Sequence, residues 1–467
     1  MYFLNKRINN FTNNLKYLYQ IDIISNSFWA LIGDIISKGL IFVSFIAIAR
    51  ILGKDGYGQF GILRTTIAMF AVLGGMGLGL TNNKYVALNK NKDKEYCGDI
   101  IGLSNIIAIF SGIFFTSLVF FGAKILGENI LKTKEIIVDL KISSIILLFN
   151  AINGSQIGVL QGLESYKSLA VANFLQGITA MPLFIIGSIL FGVRGAILGY
   201  AINQFLYTLF LHTIVKKELK NNNILVNYKK LDGTVQILWK FSLPAALTGI
   251  VIAPFKWLSE AIIINKNGYS ELGIFQAAFL IVTVVISVTS TINSPLISVM
   301  SNRNEGAMNQ NVKYFSFYGT WYLFLLLAIP LLLFPKLLFY LFGSKFNDPH
   351  LIITNSLLLL YTGMMMYYQG IVRSIIVNDS IWYALFTNII EGLILIGVFY
   401  LVKKYDSIGL GIAYCSSYIG RIIISLPYIL RRKIITRNIL IDKYFISSFL
   451  LVIILVIYQS IKFYHIN

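Results

Sequence analysis

Apolar runs of about twenty residues, separated by short polar connections, follow one another along almost the whole chain. A bilayer's hydrocarbon core is ~30 Å thick, a distance crossed by a helix of roughly 20 apolar residues. Inside lipid each backbone N–H and C=O must find its partner within the protein, so such runs are read as helices. Spans are expected near 27–51, 60–86, 100–122, 140–161, 168–191 and 195–215, then near 241–264, 273–299, 316–341, 351–377, 381–402 and 408–430. A further apolar segment, 445–461, is long enough to be a thirteenth. Only 13% of residues are charged, about half the ~25% of soluble domains, so lipid is the expected solvent. No polar stretch remains for a soluble catalytic domain, and no phosphate-cradling glycine loop occurs. The chain is therefore read as a non-enzyme that needs no cofactor.

Metal and disulfide chemistry are not suggested either. Cys97, placed in a charged loop, and Cys415 stand far apart, and His212, His350 and His465 show no ligand spacing. The formal net charge of +19 is mostly a topology signal. Lys216, Lys217, Lys220, Lys229, Lys230 and Lys240 in the central connection, with Arg431, Arg432, Lys433, Arg437 and Lys443 after the twelfth span, lie on the side of the N-terminus. They outweigh Arg50, Lys54, Lys132, Lys134, Lys345 and their neighbours on the other side, which places the N-terminus in the cytoplasm. The charges are spread over short loops and form no compact basic face, so no nucleic-acid partner is expected. Residues 1–20, basic and rich in Asn and aromatics, read as a segment lying on an anionic leaflet.

The second half repeats the first. ARILGKDGYGQFGILR (49–64) matches AIIINKNGYSELGIFQ (261–276), so Lys54, Gly56, Tyr57, Gly61 and Ile62 recur as Lys266, Gly268, Tyr269, Gly273 and Ile274. Gly158, Ser168, Ala172 and Phe174 recur as Gly370, Ser380, Ala384 and Phe386, and GAILGY (195–200) is echoed by GLGIAY (409–414). Six spans per repeat is an even number, so both halves enter the membrane in the same direction. They should be related by an axis along the membrane normal, with a cavity between them. The expected fold is an all-α membrane protein of about 12 transmembrane helices in two six-helix lobes. Its divisions are an N-terminal interfacial segment (1–26), a first lobe (27–215), a cytoplasmic linker (216–240), a second lobe (241–430) and a basic loop with an extra C-terminal helix (431–467).

The stretch ARILGKDGYGQFGILRTTIAMFAVLGGMGLGLTNNKYVA (49–87) resembles the first hairpin of bacterial polysaccharide-export flippases of the Wzx type. GVLQGLESYKSLAVANFLQGI (158–178) resembles the fourth-to-fifth-helix hairpin of the same family. The likeness is a pattern of glycines, loop tyrosines and hydropathy over nearly the whole chain, and its superfamily also holds multidrug exporters and lipid II flippases. It implies a multidrug-exporter-like fold in the bacterial inner membrane. It further implies transfer of undecaprenyl-diphosphate-linked oligosaccharide, such as O-antigen repeat units for lipopolysaccharide, from the cytoplasmic to the outer leaflet. A polysaccharide polymerase and a chain-length regulator are the implied partners. The extra segment 445–461 departs from the twelve-helix pattern.

Ionisable residues within spans cost at least ~2.5–3.5 kcal/mol each at the centre, so they face a cavity or a partner. These are Asp34, Lys38, Arg64, Lys256, Glu260, Arg373, Glu391 and Arg421. Asp34/Lys38 and Lys256/Glu260 are i,i+4 pairs that can neutralise each other. Arg64, Arg373 and Arg421 are then left against Glu391, a cationic surplus suited to a diphosphate, with Arg421 in mid-span as the leading candidate. Lys38 and Lys256 can join that site on releasing their acids. Asp34, Glu260 and Glu391 are candidates for coupling to protons or sodium, although simple pairing is the commoner role for such groups. Tyrosines and phenylalanines are expected mainly at the membrane interfaces and the lipid-facing surface, and Pro244 and Pro254 mark the seventh span as a bending element. A cation-coupled multidrug exporter is the rival reading, and it predicts surplus acid in the spans where this chain has surplus base. A membrane-embedded polymerase would need a large outer loop, and the longest one expected here, 123–139, is short.

Overall fold

The computed structural model describes residues 22–228, 251–290, 310–377, 381–431 and 442–464. All regular structure among them is helical. In the first half α1 (Asp22–Gly75), α2 (Leu78–Asn89), α3 (Lys94–Ile125), α4 (Ile136–Gly162) and α5 (Tyr166–Asn221) follow in order. The second half contributes α6 (Ile252–Asn267), α7 (Tyr269–Ser290), α8 (Gln310–Leu333), α9 (Leu337–Phe342), α10 (Pro349–Val377), α11 (Ile381–Val402), α12 (Asp406–Arg431) and α13 (Lys443–Tyr464). Among the described residues, eight helical stretches are long and apolar enough to cross a membrane, and Lys443–Phe463 is one of them. The C-terminal segment is thus a helix of spanning length, packed on the second half through Trp321 and Tyr367 against Phe445.

The longest helices are hairpins. In one straight helix Phe45 and Phe60 would lie roughly 22 Å apart, yet their ring centroids are 5.8 Å apart. The reversal occurs at Gly53, whose φ of 73° an L side chain rarely adopts. α5 turns back likewise at Gly192 (φ 59°), and Asp406 (φ 55°) makes the same turn between α11 and α12. Gly192 and Asp406 stand just before GAILGY and GLGIAY, so this part of the repeat is a repeat of chain course. The first hairpin is different. The sequence match pairs Gly56 with Gly268, but the backbone reverses at Gly268 (φ 87°) and at Gly53, about one helical turn before Gly56.

Both hairpin turns lie at one end of the bundle, and there the halves are joined. A methyl group on Gly58 would come 1.9 Å from the Tyr269 carbonyl oxygen, and one on Gly273 would come 1.9 Å from that of Lys54. The backbones of α1 and α7 therefore touch. Around this crossing Lys54 Nζ meets Asp348 Oδ2 at 2.8 Å, Lys345 Nζ donates to Ile51 O at 2.9 Å, and Asn265 Nδ2 donates to Ile130 O at 2.6 Å. Arg50 donates to the carbonyls of Tyr340 and Leu341. Burial pushes the Asp348 carboxyl up, but hydrogen bonds from Lys54 and the His350 N–H outweigh it and hold the group below its ordinary pKa. Its contribution is complete above the ordinary carboxylate range and is lost as pH falls through the lowered value.

Several expectations are corrected. Cys97 is not in a loop: it lies in the first turns of α3, fully buried, because Asp93 caps that helix by accepting from the Tyr96 N–H. The connection 123–139 is mostly helix, a π-turn (Leu126–Ile130) carrying α3 toward α4. Lys216–Asn221 continue α5 instead of opening the linker, and Asn227 docks on Gly98 and Asp99. Tyr57, Tyr361, Tyr368, Tyr414 and Tyr418 are buried inside the bundle. Pro254 stands in the first turn of α6, where proline is tolerated; Pro244, residues 1–21 and most of the basic connection lie outside the described residues.

The close crossing makes a stability prediction. Gly273→Val should lower the thermal midpoint of the purified protein by the equivalent of ~1–3 kcal/mol, the usual range for forced overpacking. Gly397→Ala, where the added methyl meets nothing within 4 Å, should leave it unchanged or slightly raised.

Candidate functional site

Five ionisable residues of the spans, Arg64, Glu260, Lys256, Glu391 and Arg421, lie along a polar strip from the junction of the halves into the second half. At the junction, the Arg64 guanidinium lies 4.7 Å from the Phe45 ring centroid and Nη2 donates to Gln276 Oε1 at 2.9 Å. Thr65 Oγ1 donates to Glu260 Oε2 at 2.6 Å, and Trp257 Nε1 donates to Thr66 Oγ1 at 2.7 Å. Three consecutive residues of α1 thereby bind α6 and α7.

Deeper in the second half, four buried tyrosines make an edge-to-face ladder. Tyr414 meets Tyr361 at 5.2 Å, Tyr361 meets Tyr418 at 5.3 Å, and Tyr418 meets Tyr368 at 5.8 Å. Cations lie on their faces. Lys256 Nζ is 5.8 Å from the Tyr361 ring and 5.7 Å from that of Tyr414, with Tyr361 Oη at 3.4 Å. The Arg421 guanidinium is 5.0 Å from Tyr368 and 5.6 Å from Tyr418. Its Nη1 contacts Glu391 Oε2 at 2.6 Å, with side-chain exposures of 13% and 4%. A ring quadrupole attracts a cation without neutralising it, which suits a cation that stays charged in a low-dielectric core.

This geometry revises the pairing. Lys256 and Glu260 share a face of α6 but do not pair: Lys256 turns to the tyrosines and Glu260 crosses to Thr65. Arg421, expected in the surplus, is held by Glu391 on the neighbouring helix. Arg64 and Glu260 come together at the junction, whereas Lys256, Glu391 and Arg421 belong to the interior of the second half. The side chains of Asp34 and Arg373 lie outside the described residues. Lys38 is exposed and lines a cavity of about 260 Å³ between the halves. Ile35, Phe42 and Phe45 of α1 and Leu280, Thr283 and Ser287 of α7 form its walls. Arg64 thus sits behind a ring that faces the cavity.

The tyrosines were missed by sequence reasoning, although a signal was present. Tyr414, Tyr418 and Arg421 fall at i, i+4 and i+7, one face of α12, and Tyr361 and Tyr368 share a face of α10 by the same spacing. Gln276 and Thr65 carry no such pattern, because they matter only where two distant helices cross.

The profile described as polysaccharide biosynthesis protein matches residues 23–303, more than half of the chain. Stage V sporulation protein B of Bacillus subtilis is 23% identical over 460 residues, covering 92% of this chain and 87% of that protein. Among solved structures, an inward-facing multidrug resistance MATE family transporter of the MOP superfamily matches with a TM-score of 0.65 at 17% identity, over 85% of this chain and 94% of that one. A MOP superfamily transporter from Pyrococcus furiosus, described by the reverse polarity of its binding pocket, matches with a TM-score of 0.61 at 17% identity, over 89% and 96%. At these identities the structural likenesses establish the fold.

The Arg421–Glu391 contact yields a second prediction. Glu391→Gln leaves a buried guanidinium without its counter-charge and should destabilise by about 3–5 kcal/mol in thermal unfolding. Glu391→Gln combined with Arg421→Met should recover most of that loss.

Proposed function

The chain belongs to the polysaccharide biosynthesis protein family, and on that premise we propose that it flips a lipid-linked oligosaccharide, an undecaprenyl-diphosphate-borne repeat unit, from the cytoplasmic to the outer leaflet by alternating access. The cavity between the halves carries this reading. Its walls are apolar, as an isoprenoid chain requires, while Lys38 stands on them and Arg64 lies just behind Phe45. A lysine point charge and a forked guanidinium are both suited to phosphate oxygens. At about 260 Å³ the cavity falls below the ~300–1,000 Å³ of most ligand sites. The head group therefore enters only as the halves part at the end opposite Gly53. With the N-terminus in the cytoplasm of a bacterial inner membrane, that opening faces the cytoplasm and the joined end faces outward. Lys256 and Arg421, on their tyrosine faces, are the deeper cations proposed to meet the phosphates, and Arg373 is proposed with them from its sequence position alone. An O-antigen or similar surface glycan is the proposed cargo, passed on to a polymerase and a chain-length regulator.

A specific observation also favours the multidrug-exporter reading. Glu260 and Glu391 are both buried carboxylates, 5% and 3% exposed, of the kind that cation coupling uses. On either reading they, with Asp34, are the proposed coupling groups.

Thermal unfolding in detergent separates the two cargoes. Undecaprenyl diphosphate should raise the midpoint, by about 2.7 kcal/mol at a hundredfold excess over Kd. Arg64→Gln and Lys38→Gln together should remove most of that gain. Stabilisation by a cationic drug such as ethidium, with none from undecaprenyl diphosphate, would establish the exporter reading instead. In cells, loss of the protein should strand lipid-linked repeat units on the cytoplasmic leaflet.

A further inference from the structure

At the joined end, three helices of the second half start against one another. Glu271 lies in the first turn of α7, His350 in that of α10 and Asp406 at the start of α12. One ligand atom from each lies within 4.8 Å of the other two. His350 Nδ1 is 3.3 Å from Glu271 Oε1. Asn267 Nδ2 donates to Asp406 Oδ1, and the Ser407 N–H donates to Glu271 Oε2 at 3.1 Å.

Two observations separate this cluster from a plain ion pair. Ser407 is fully buried with its side chain toward the Glu271 carboxylate, and no group donates a hydrogen bond to its Oγ. The Asn267 Oδ1 is likewise buried and unpartnered, while its Nδ2 reaches Asp406. A buried hydroxyl oxygen that accepts no hydrogen bond, beside a carboxylate, offers a lone pair that a cation can take. The repeat supplies a third argument. Where the first half turns at Gly192, the second turns at Asp406 with nearly the same backbone angles, φ 55° and ψ −134°. Those angles are suited to glycine and strained for aspartate, so the carboxylate is kept at a backbone cost of order 1–3 kcal/mol.

We propose that Glu271, His350 and Asp406 form a divalent transition-metal site, with Ser407 Oγ closing it. One imidazole and two carboxylates make the donor set of zinc or its first-row neighbours, whereas calcium and magnesium favour sites of oxygen alone. The three helix starts would be stapled together. The His350 N–H also donates to Asp348 Oδ1, and Asp348 holds Lys54 of the other half. Occupancy of the site is thereby coupled to the contact that joins the halves.

The test uses the full-length protein in detergent, stripped by a chelator and titrated with ZnCl2 under calorimetry, with Co2+ as a spectroscopic stand-in. About one Zn2+ should bind per chain and raise the thermal midpoint. Co2+ should give visible absorption bands that Zn2+ abolishes. His350→Ala should lose both signals, and Ser407→Ala should weaken binding roughly 10–100-fold. Asp406→Gly restores the residue type that the first half uses at this turn, so it should fold normally and still lose the metal. His212→Ala, remote from the cluster, should bind as the wild type does. Stoichiometric Zn2+ retained in Asp406→Gly, no Zn2+ bound by the wild type, or Ca2+ bound in preference to Zn2+ would each overturn the proposal. None of these readouts depends on the cargo.

Discussion

Helices in lipid gain nothing from hiding apolar surface, because the tails around them are as apolar as leucine. They hold together by close packing and by the few polar contacts that reach between them. In this protein the two halves meet most intimately, among the described residues, at the crossing of α1 and α7, where Gly58 and Gly273 let backbone rest on backbone. Much of the functional geometry follows from that contact. It brings Arg64, Thr65 and Thr66 against Gln276, Glu260 and Trp257, sets Lys54 and Lys345 within reach of the other half, and leaves the space between Lys38 and Ser287 as a cavity.

The buried charges illustrate how context redirects a rule that holds for isolated helices. An i,i+4 acid–base pair on a free helix gains a few tenths of a kcal/mol. Glu260 forgoes that gain for a hydroxyl donor on another helix, and Lys256 lies instead against two aromatic faces. Arg421 and Glu391 do pair, across two helices that the Asp406 turn brings side by side. Tyrosine is the residue that makes this tolerable, since its ring can cover a cation while its bulk excludes lipid. The strip that results has one end at the junction and the other within the second half.

The two halves share a path and differ in chemistry. Gly192 and Asp406 turn alike, as Gly53 and Gly268 do. The tyrosine ladder, Arg421, Glu391 and the Glu271–His350–Asp406 cluster belong to the second half, and the first half joins its helices through neutral contacts such as Asn82 with Ser104 and Ser155 and through the Arg194–Asp139 ion pair. A duplicated scaffold thus carries its tyrosine-faced cations in one half.

Helicity and the membrane-spanning, apolar character of the helices were legible in the chain itself. Each depends on local hydropathy or on spacing within a single helix, and lipid enforces both. The hairpin turn at Gly53 in place of Gly56 was not legible, because two nearby glycines are equivalent until a second helix selects which may reverse the chain. The partners of Glu260 and Lys256, the tyrosine faces around Arg421, and the meeting of His350 with Glu271 and Asp406 were equally out of reach. They join residues on different helices, and only the packing of those helices decided which side chains would meet.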